Sequence, residues 1–146
     1  MDRALAKEVD REVRAIYAEW ETRPLVRSCT GLAECCRFRM TGRTPYLTRG
    51  EALVAARAWR SAGRREVVAQ VDGSCPFLKG GKCQIYDGRP FGCRTHFCEA
   101  AGGAASRKEV RDLIQRLEEI DLRIGGEGSM NFVSAVTEAM GRLPKR

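Results

Sequence analysis

All seven cysteines of this 146-residue chain, Cys29, Cys35, Cys36, Cys75, Cys83, Cys93 and Cys98, lie between residues 29 and 98, about half of its length. An odd number cannot pair completely. The opening stretch MDRALAKEVDREVRAIY is charged throughout and has no apolar leader, so the expected compartment is the cytoplasm, where thiols stay reduced. Clustered thiols in a reducing compartment point to a metal. Both cysteine regions have the Gly and Pro content that lets a backbone turn tightly around an ion. The first reads Cys29-x5-Cys35-Cys36; the second runs from Cys75-Pro-Phe-Leu through Cys83 and Cys93 to Cys98. One tetrahedral zinc takes four ligands and leaves three thiols over, whereas two closed zinc sites need eight, the seven cysteines plus His96, the sole histidine. A single iron-sulfur cluster takes four cysteines. Counting alone does not choose among these.

The rest of the chain supplies a helical setting. With 43% hydrophobic and 31% charged residues the composition is globular, and the length suits one domain. No apolar run is long enough for a membrane span. Leu5, Val9, Val13, Ile16, Tyr17 and Trp20 recur at helical spacing and predict a helix over 3–21. Thr48 with Glu51 has the capping-box spacing and opens a helix over 49–62; Ser106 with Glu109 opens another over 106–124. A last helix is expected over 131–141, after the loop GGEGSMN. Between these lie a short helical turn at 33–36, a Val-rich strand at 66–72 (EVVAQVD) and a hairpin-like or knuckle-like turn at Lys79-Gly80-Gly81-Lys82. The basic tail 143–146 is expected to be disordered. The predicted fold is therefore a mainly α single domain with small irregular and hairpin elements, centred on a metal core at 29–98.

Charge follows the cysteines. The chain carries 26 Lys and Arg against 19 Asp and Glu, and between Thr22 and Cys98 there are 14 basic and 5 acidic residues. Such an excess offsets the negative charge of metal-bound thiolates or binds phosphate.

The strings CPFL and CQIYDGRPFGCR, preceded by the Cys35-Cys36 pair and the helix between them, resemble the YkgJ-like cysteine-cluster proteins. That family is known by a CxxCxxCC motif and described as zinc- or iron-chelating. The resemblance covers residues 29 to 98 and implies ligands at Cys29, Cys35, Cys36, Cys75, Cys83, Cys93 and Cys98. One thiol of the family motif falls at Leu32 here, so either that thiol is dispensable or another residue, His96 foremost, takes its place. Related methylases of flagellin lysines contain a similar cysteine motif, and the family is commonly labelled iron-sulfur, which favours a 4Fe-4S cluster over zinc. Adjacent cysteines such as Cys35 and Cys36 strain to chelate one small ion and sit more easily on separate irons. Arg37, Arg39, Arg89 and Arg94 flank the thiols and suit an anionic centre of either kind.

No catalytic motif stands beside the cysteines: there is no phosphate or dinucleotide fingerprint and no nucleophile elbow, and no reaction is assigned. A protein partner is open. Nucleic acid is the less favoured partner: the arginines would contact phosphates, and Phe38, Tyr46, Phe77, Tyr86 and Phe91 would have to stack bases, although those in CPFL and CQIY are better suited to packing.

Overall fold

In a computed structural model the described residues are 1–23, 45–95 and 106–145. Helix α1 (Arg3–Thr22) buries Val9, Val13, Ile16, Tyr17 and Trp20, the predicted stripe, and leaves its charged residues outside. Strand β1 (Tyr46–Leu47) leads into α2 (Arg49–Ser61). Helix α2 is covered nearly all round, which is why its sequence is a run of small apolar residues, Ala52 to Ala56, ending in Trp59. It packs against α1 on one side and α5 (Phe132–Arg142) on the other, and α4 (Arg107–Arg123) crosses α1 and α2.

Both predicted capping boxes form. Glu51 Oε2 accepts from Thr48 N at 2.8 Å and from Thr48 Oγ1 at 2.9 Å. Ser106 N donates to Glu109 Oε2 at 2.8 Å, and Glu109 N donates to Ser106 Oγ at 3.3 Å. The loop before α5 folds back on a buried carboxylate at the end of α4. Asp121 Oδ1 accepts from Arg49 N and Oδ2 from Gly128 N, each at 2.9 Å, so one side chain satisfies the start of α2 and closes the GGEGSMN loop. The end of that loop forms β4 (Met130–Asn131), antiparallel to β1 with Tyr46 opposite Asn131.

Two expectations are corrected. The Val-rich segment 66–72 is not a strand: no ladder partner lies beside it among the described residues, and Val68 and Val71 face solvent. Its start is held to α2 by the Trp59 indole, whose Nε1 donates to Glu66 O at 2.9 Å, and Val67 packs against the core. Nor is the basic tail loose through residue 145. Leu143 is buried, Arg60 Nη1 donates to Pro144 O at 2.7 Å, and Arg3 Nη2 donates to Lys145 O at 2.6 Å. The architecture is mainly α, with two small antiparallel pairs, as the patterning predicts. No helix among the described residues is long and apolar enough to cross a membrane.

Candidate metal centre

The second cysteine motif is pinned to the helices at three points. At its start, Phe77 of CPFL enters the core between Trp59 and Phe132, with ring centroids 5.0 and 5.1 Å away. Strands β2 (Leu78–Lys79) and β3 (Lys82–Cys83) then form the anticipated hairpin, with Leu78 opposite Cys83. Its two-residue turn needs left-handed backbone at both central positions, and Gly80 and Gly81 supply it at φ 57° and 76°. Next, a 3-10 turn (Tyr86–Gly88) lies directly on α2: a Cβ at Gly88 would stand 2.8 Å from Ala58 Cβ and 3.1 Å from Val54 O. Only glycine fits there.

The third point is a short helix, α3 (Phe91–Thr95), which carries Cys93. Phe91 stacks on Tyr17 with centroids 6.4 Å apart and meets Trp20 edge-on at 5.8 Å. Its backbone N donates to Glu51 Oε1 at 2.9 Å. Glu51 therefore serves two helix starts with one carboxylate. Burial pushes its pKa up, and hydrogen bonds from the Thr48 and Phe91 backbone hold the rise in check. Arg94, 8% exposed, ties the same helix down: Nε donates to Arg89 O at 2.9 Å, Nη2 to Asp87 O and Nη1 to Glu21 Oε1 at 2.5 Å each. Its guanidinium lies 4.1 Å from the Tyr17 ring centroid, and burial lowers its pKa.

The motif's string is thus legible residue by residue as a docking segment whose by-product is the placement of thiols. Cys75, 3% exposed, sits at the foot of the hairpin, where its carbonyl accepts from Leu78 N at 3.0 Å and from Gln70 Nε2 at 2.9 Å. Cys83 is half-buried and lines a cleft of about 470 Å³ between α1, α2 and the 3-10 turn. On the facing wall Arg14 Nε and Arg57 Nη1 converge on Asp10 Oδ2 at 3.1 and 3.2 Å. Cys93 is half-buried on α3. No disulfide links these three to one another. Among the described residues no three His, Cys, Asp or Glu side chains gather as a metal site would require. Cys29, Cys35, Cys36, His96 and Cys98, with Leu32, Arg37, Arg39 and the expected turn at 33–36, lie outside the described residues.

The donor chemistry fits a soft or borderline metal. Three thiols stand along one motif, at the foot of its hairpin, on β3 and on α3, with the buried guanidinium of Arg94 next to Cys93 in sequence. The Tyr17 hydroxyl is buried beneath α3 beside Glu51, and its hydrogen bonding helps to hold down the rise in the Glu51 pKa. Sequence reasoning missed Glu51's bond to Phe91 N, Asp121 and Tyr17: a capping pattern announces Glu51's first role only, and the other two read as a solvated charge and a core aromatic. Phe77 and Phe91 are buried and cannot stack on bases, whereas Tyr46 and Tyr86 are exposed. Many arginines are engaged internally, as in Arg23 with Asp112, Arg49 with Glu138 and Arg123 with Glu12.

No curated protein sequence and no solved structure matches the chain. A family model does, over residues 28–116, and its description is "CxxCxxCC: Putative zinc- or iron-chelating domain". The two metals it names are the two that the thiol content suggests. The match spans more than half of the chain and includes both cysteine regions, so the chain belongs to the CxxCxxCC family.

Proposed function

We propose that this protein carries a 4Fe-4S cluster, held by cysteines of both motifs, in a structural or electron-transfer role. The observation that carries the reading is the setting of Cys93: a thiol on a helix pinned by Glu51 and Phe91, followed directly by a buried arginine. A fixed positive charge there lowers the cost of concentrating negative thiolates, and the adjacent Cys35 and Cys36 suit separate irons better than one small ion. The candidate ligands are Cys29, Cys35, Cys36, Cys75, Cys83, Cys93 and Cys98, with His96 last among them. The 470 Å³ cleft beside Cys83 offers a metal a route in from solvent.

Anaerobic purification followed by a visible spectrum and metal analysis tests this directly. The expected result is a brown protein with about four iron and four sulfide per chain. A colourless protein with zinc instead supports a second reading, a structural zinc domain, which the glycine-turned hairpin at Gly80 and Gly81 favours because zinc knuckles use such turns. A protein with neither metal overturns both. Within the first reading, Ser at Cys36, Cys75, Cys83 or Cys93 removes the centre, since serine is a poor replacement for a soft thiolate.

A further inference from the structure

Residues 64–70 form no helix, turn or bend, so the chain leaving α2 runs on without doubling back until the turn at 71–72. It is a strap fastened to the rest of the fold. Glu66 O accepts from Trp59 Nε1 at 2.9 Å, Val67 packs against the core, and Gln70 Nε2 donates to Cys75 O at 2.9 Å and to Leu78 O at 2.5 Å. Its outward groups are left uncovered. Val68 is 65% exposed and Val71 fully so, and among the described residues the main chain of Val67, Val68 and Ala69 makes no hydrogen bond. A lone exposed valine needs no explanation. A fixed run of unpaired backbone beside two exposed valines is another matter, because it is the kind of edge to which a further strand adds.

Charge decides what kind of strand fits. Arg64 and Arg65 open the strap, with the Arg64 guanidinium 5.6 Å from the Trp59 ring centroid. At the far end Gln70 holds Leu78 O, so the next residue, Lys79, and its ladder partner Lys82 stand beside that end. All four are exposed, and none is ion-paired among the described residues. Against them are Glu66, which is exposed, and Asp72, whose carboxylate already accepts from Ser74 N and Ser74 Oγ. The surplus is positive at both ends. A second copy, laid in either direction, would therefore set cations against cations. Nucleic acid would answer the cations but gain nothing from the valines, and a lipid surface would leave the backbone groups without partners.

We propose that the strap at 64–72 is a docking edge for an extended acidic segment of a partner protein, which adds to it as a β-strand. Main-chain bonds to Val67, Val68 and Ala69 hold the segment, Val68 and Val71 receive its apolar side chains, and its carboxylates meet Arg64, Arg65, Lys79 and Lys82. The valine-rich sequence, which has no strand partner among the described residues, finds one in the complex.

The test pans the immobilised full chain against a phage-displayed library of random peptides, with the Val68→Glu chain as counter-selection. Recovered peptides are synthesised with a fluorophore and measured by polarisation. They should combine acidic with apolar β-forming residues, bind more weakly as salt rises, and lose about 10-fold in affinity when Arg64→Glu and Arg65→Glu are introduced together. Proline removes one N–H without adding charge, and neighbouring residues of a strand donate to opposite sides. Val68→Pro or Ala69→Pro should therefore cost about 10-fold, the worth of one or two main-chain bonds. Circular dichroism and the urea midpoint should stay at wild-type values, because both sites are exposed and unbonded. Failure to recover any such peptide overturns the proposal. So do recovered peptides without acidic residues, binding that survives both proline variants, and a wild-type chain that dimerises in sedimentation while Val68→Glu does not, since the edge would then serve a second copy.

Discussion

The helical frame and the cysteine motif from Cys75 to Thr95 share one core but are held by different forces. In the frame, α1, α2, α4 and α5 meet through apolar stripes, with Val9, Val13, Leu53, Val54, Leu113 and Val136 almost wholly out of water. Polar bonds there finish the helix ends. The motif has little regular structure of its own: a two-residue-per-strand hairpin, one 3-10 turn and a five-residue helix. It is held by two phenylalanines inserted into the frame and by bonds from Arg94, Gln70 and Glu51 to backbone groups that no ladder satisfies. The frame thus packs chiefly through its own apolar stripes, while the motif lends Phe77, Ile85 and Phe91 to the shared core and takes its shape from the frame.

The difference can be broken from either side. Asp121→Ala strikes the frame: it removes a buried carboxylate that satisfies Arg49 N and Gly128 N together, and should cost about 3 kcal/mol. Urea denaturation should show that loss, while metal per folded chain stays at the wild-type value because no thiol is touched. Gly88→Ala strikes the seam. Its Cβ meets Ala58 Cβ and Val54 O with no room to yield, so the 3-10 turn must lift off α2, at a cost of about 2 kcal/mol. Metal content should fall along with stability, because Cys83 and Cys93 lie on either side of the turn. A Gly88→Ala protein with full metal content and a lowered melting point would show that thiol placement does not depend on this contact.

The two regions were also unequally legible in the sequence. Periodicity finds α1, α2, α4 and α5 to within a residue or two, because a helix that buries one stripe writes that stripe every three or four positions, and capping pairs mark where α2 and α4 start. The same logic fails for EVVAQVD. Valine favours strands only where a neighbouring strand exists to pack and bond against, and among the described residues none is there. Asp121 stands in a run of charges and looks solvated; its burial comes from the loop that folds back over it. For the motif, cysteine spacing announces chemistry but not geometry. That Phe77 and Phe91 are anchors, and that Arg94 bonds backbone carbonyls, follows only from where the chain crosses the frame. The thiols at Cys75, Cys83 and Cys93 are located; the other candidate ligands lie outside the described residues.

A gentler probe of the seam is Glu51→Gln with pH as the variable. Burial raises the Glu51 pKa in the folded state. Below the ordinary carboxylate range both folded and unfolded chains hold the proton, and the contribution is fully present. As pH rises through the folded pKa, the unfolded chain ionises freely and the folded one reluctantly, so stability is lost over that window. Glutamine does not titrate and still fits the capping position. The gap between Glu51→Gln and wild type, followed by urea midpoints from about pH 4 to pH 8, should therefore shift in favour of the variant as pH rises. Parallel curves would mean that the Phe91 and Thr48 bonds fully offset burial.

The smallest expected effect falls on His96, and its smallness is informative. Two closed zinc sites need eight ligands, which this chain reaches only by adding its sole histidine to all seven cysteines. One cluster needs four thiols and leaves the imidazole spare. Leu32, where the family motif has a cysteine, presses the same question from the other side: either a thiol has been lost without consequence or His96 has replaced it. If the 4Fe-4S reading holds, His96→Ala keeps iron, sulfide and the visible spectrum at wild-type values, whereas Cys93→Ser abolishes them. Two zincs per chain in anaerobically prepared protein, with one lost on His96→Ala, would overturn the choice of metal and the ligand count together. It would also turn the motif from a cluster's cradle into half of a paired zinc fold, whose stability then comes from the ions rather than from the frame.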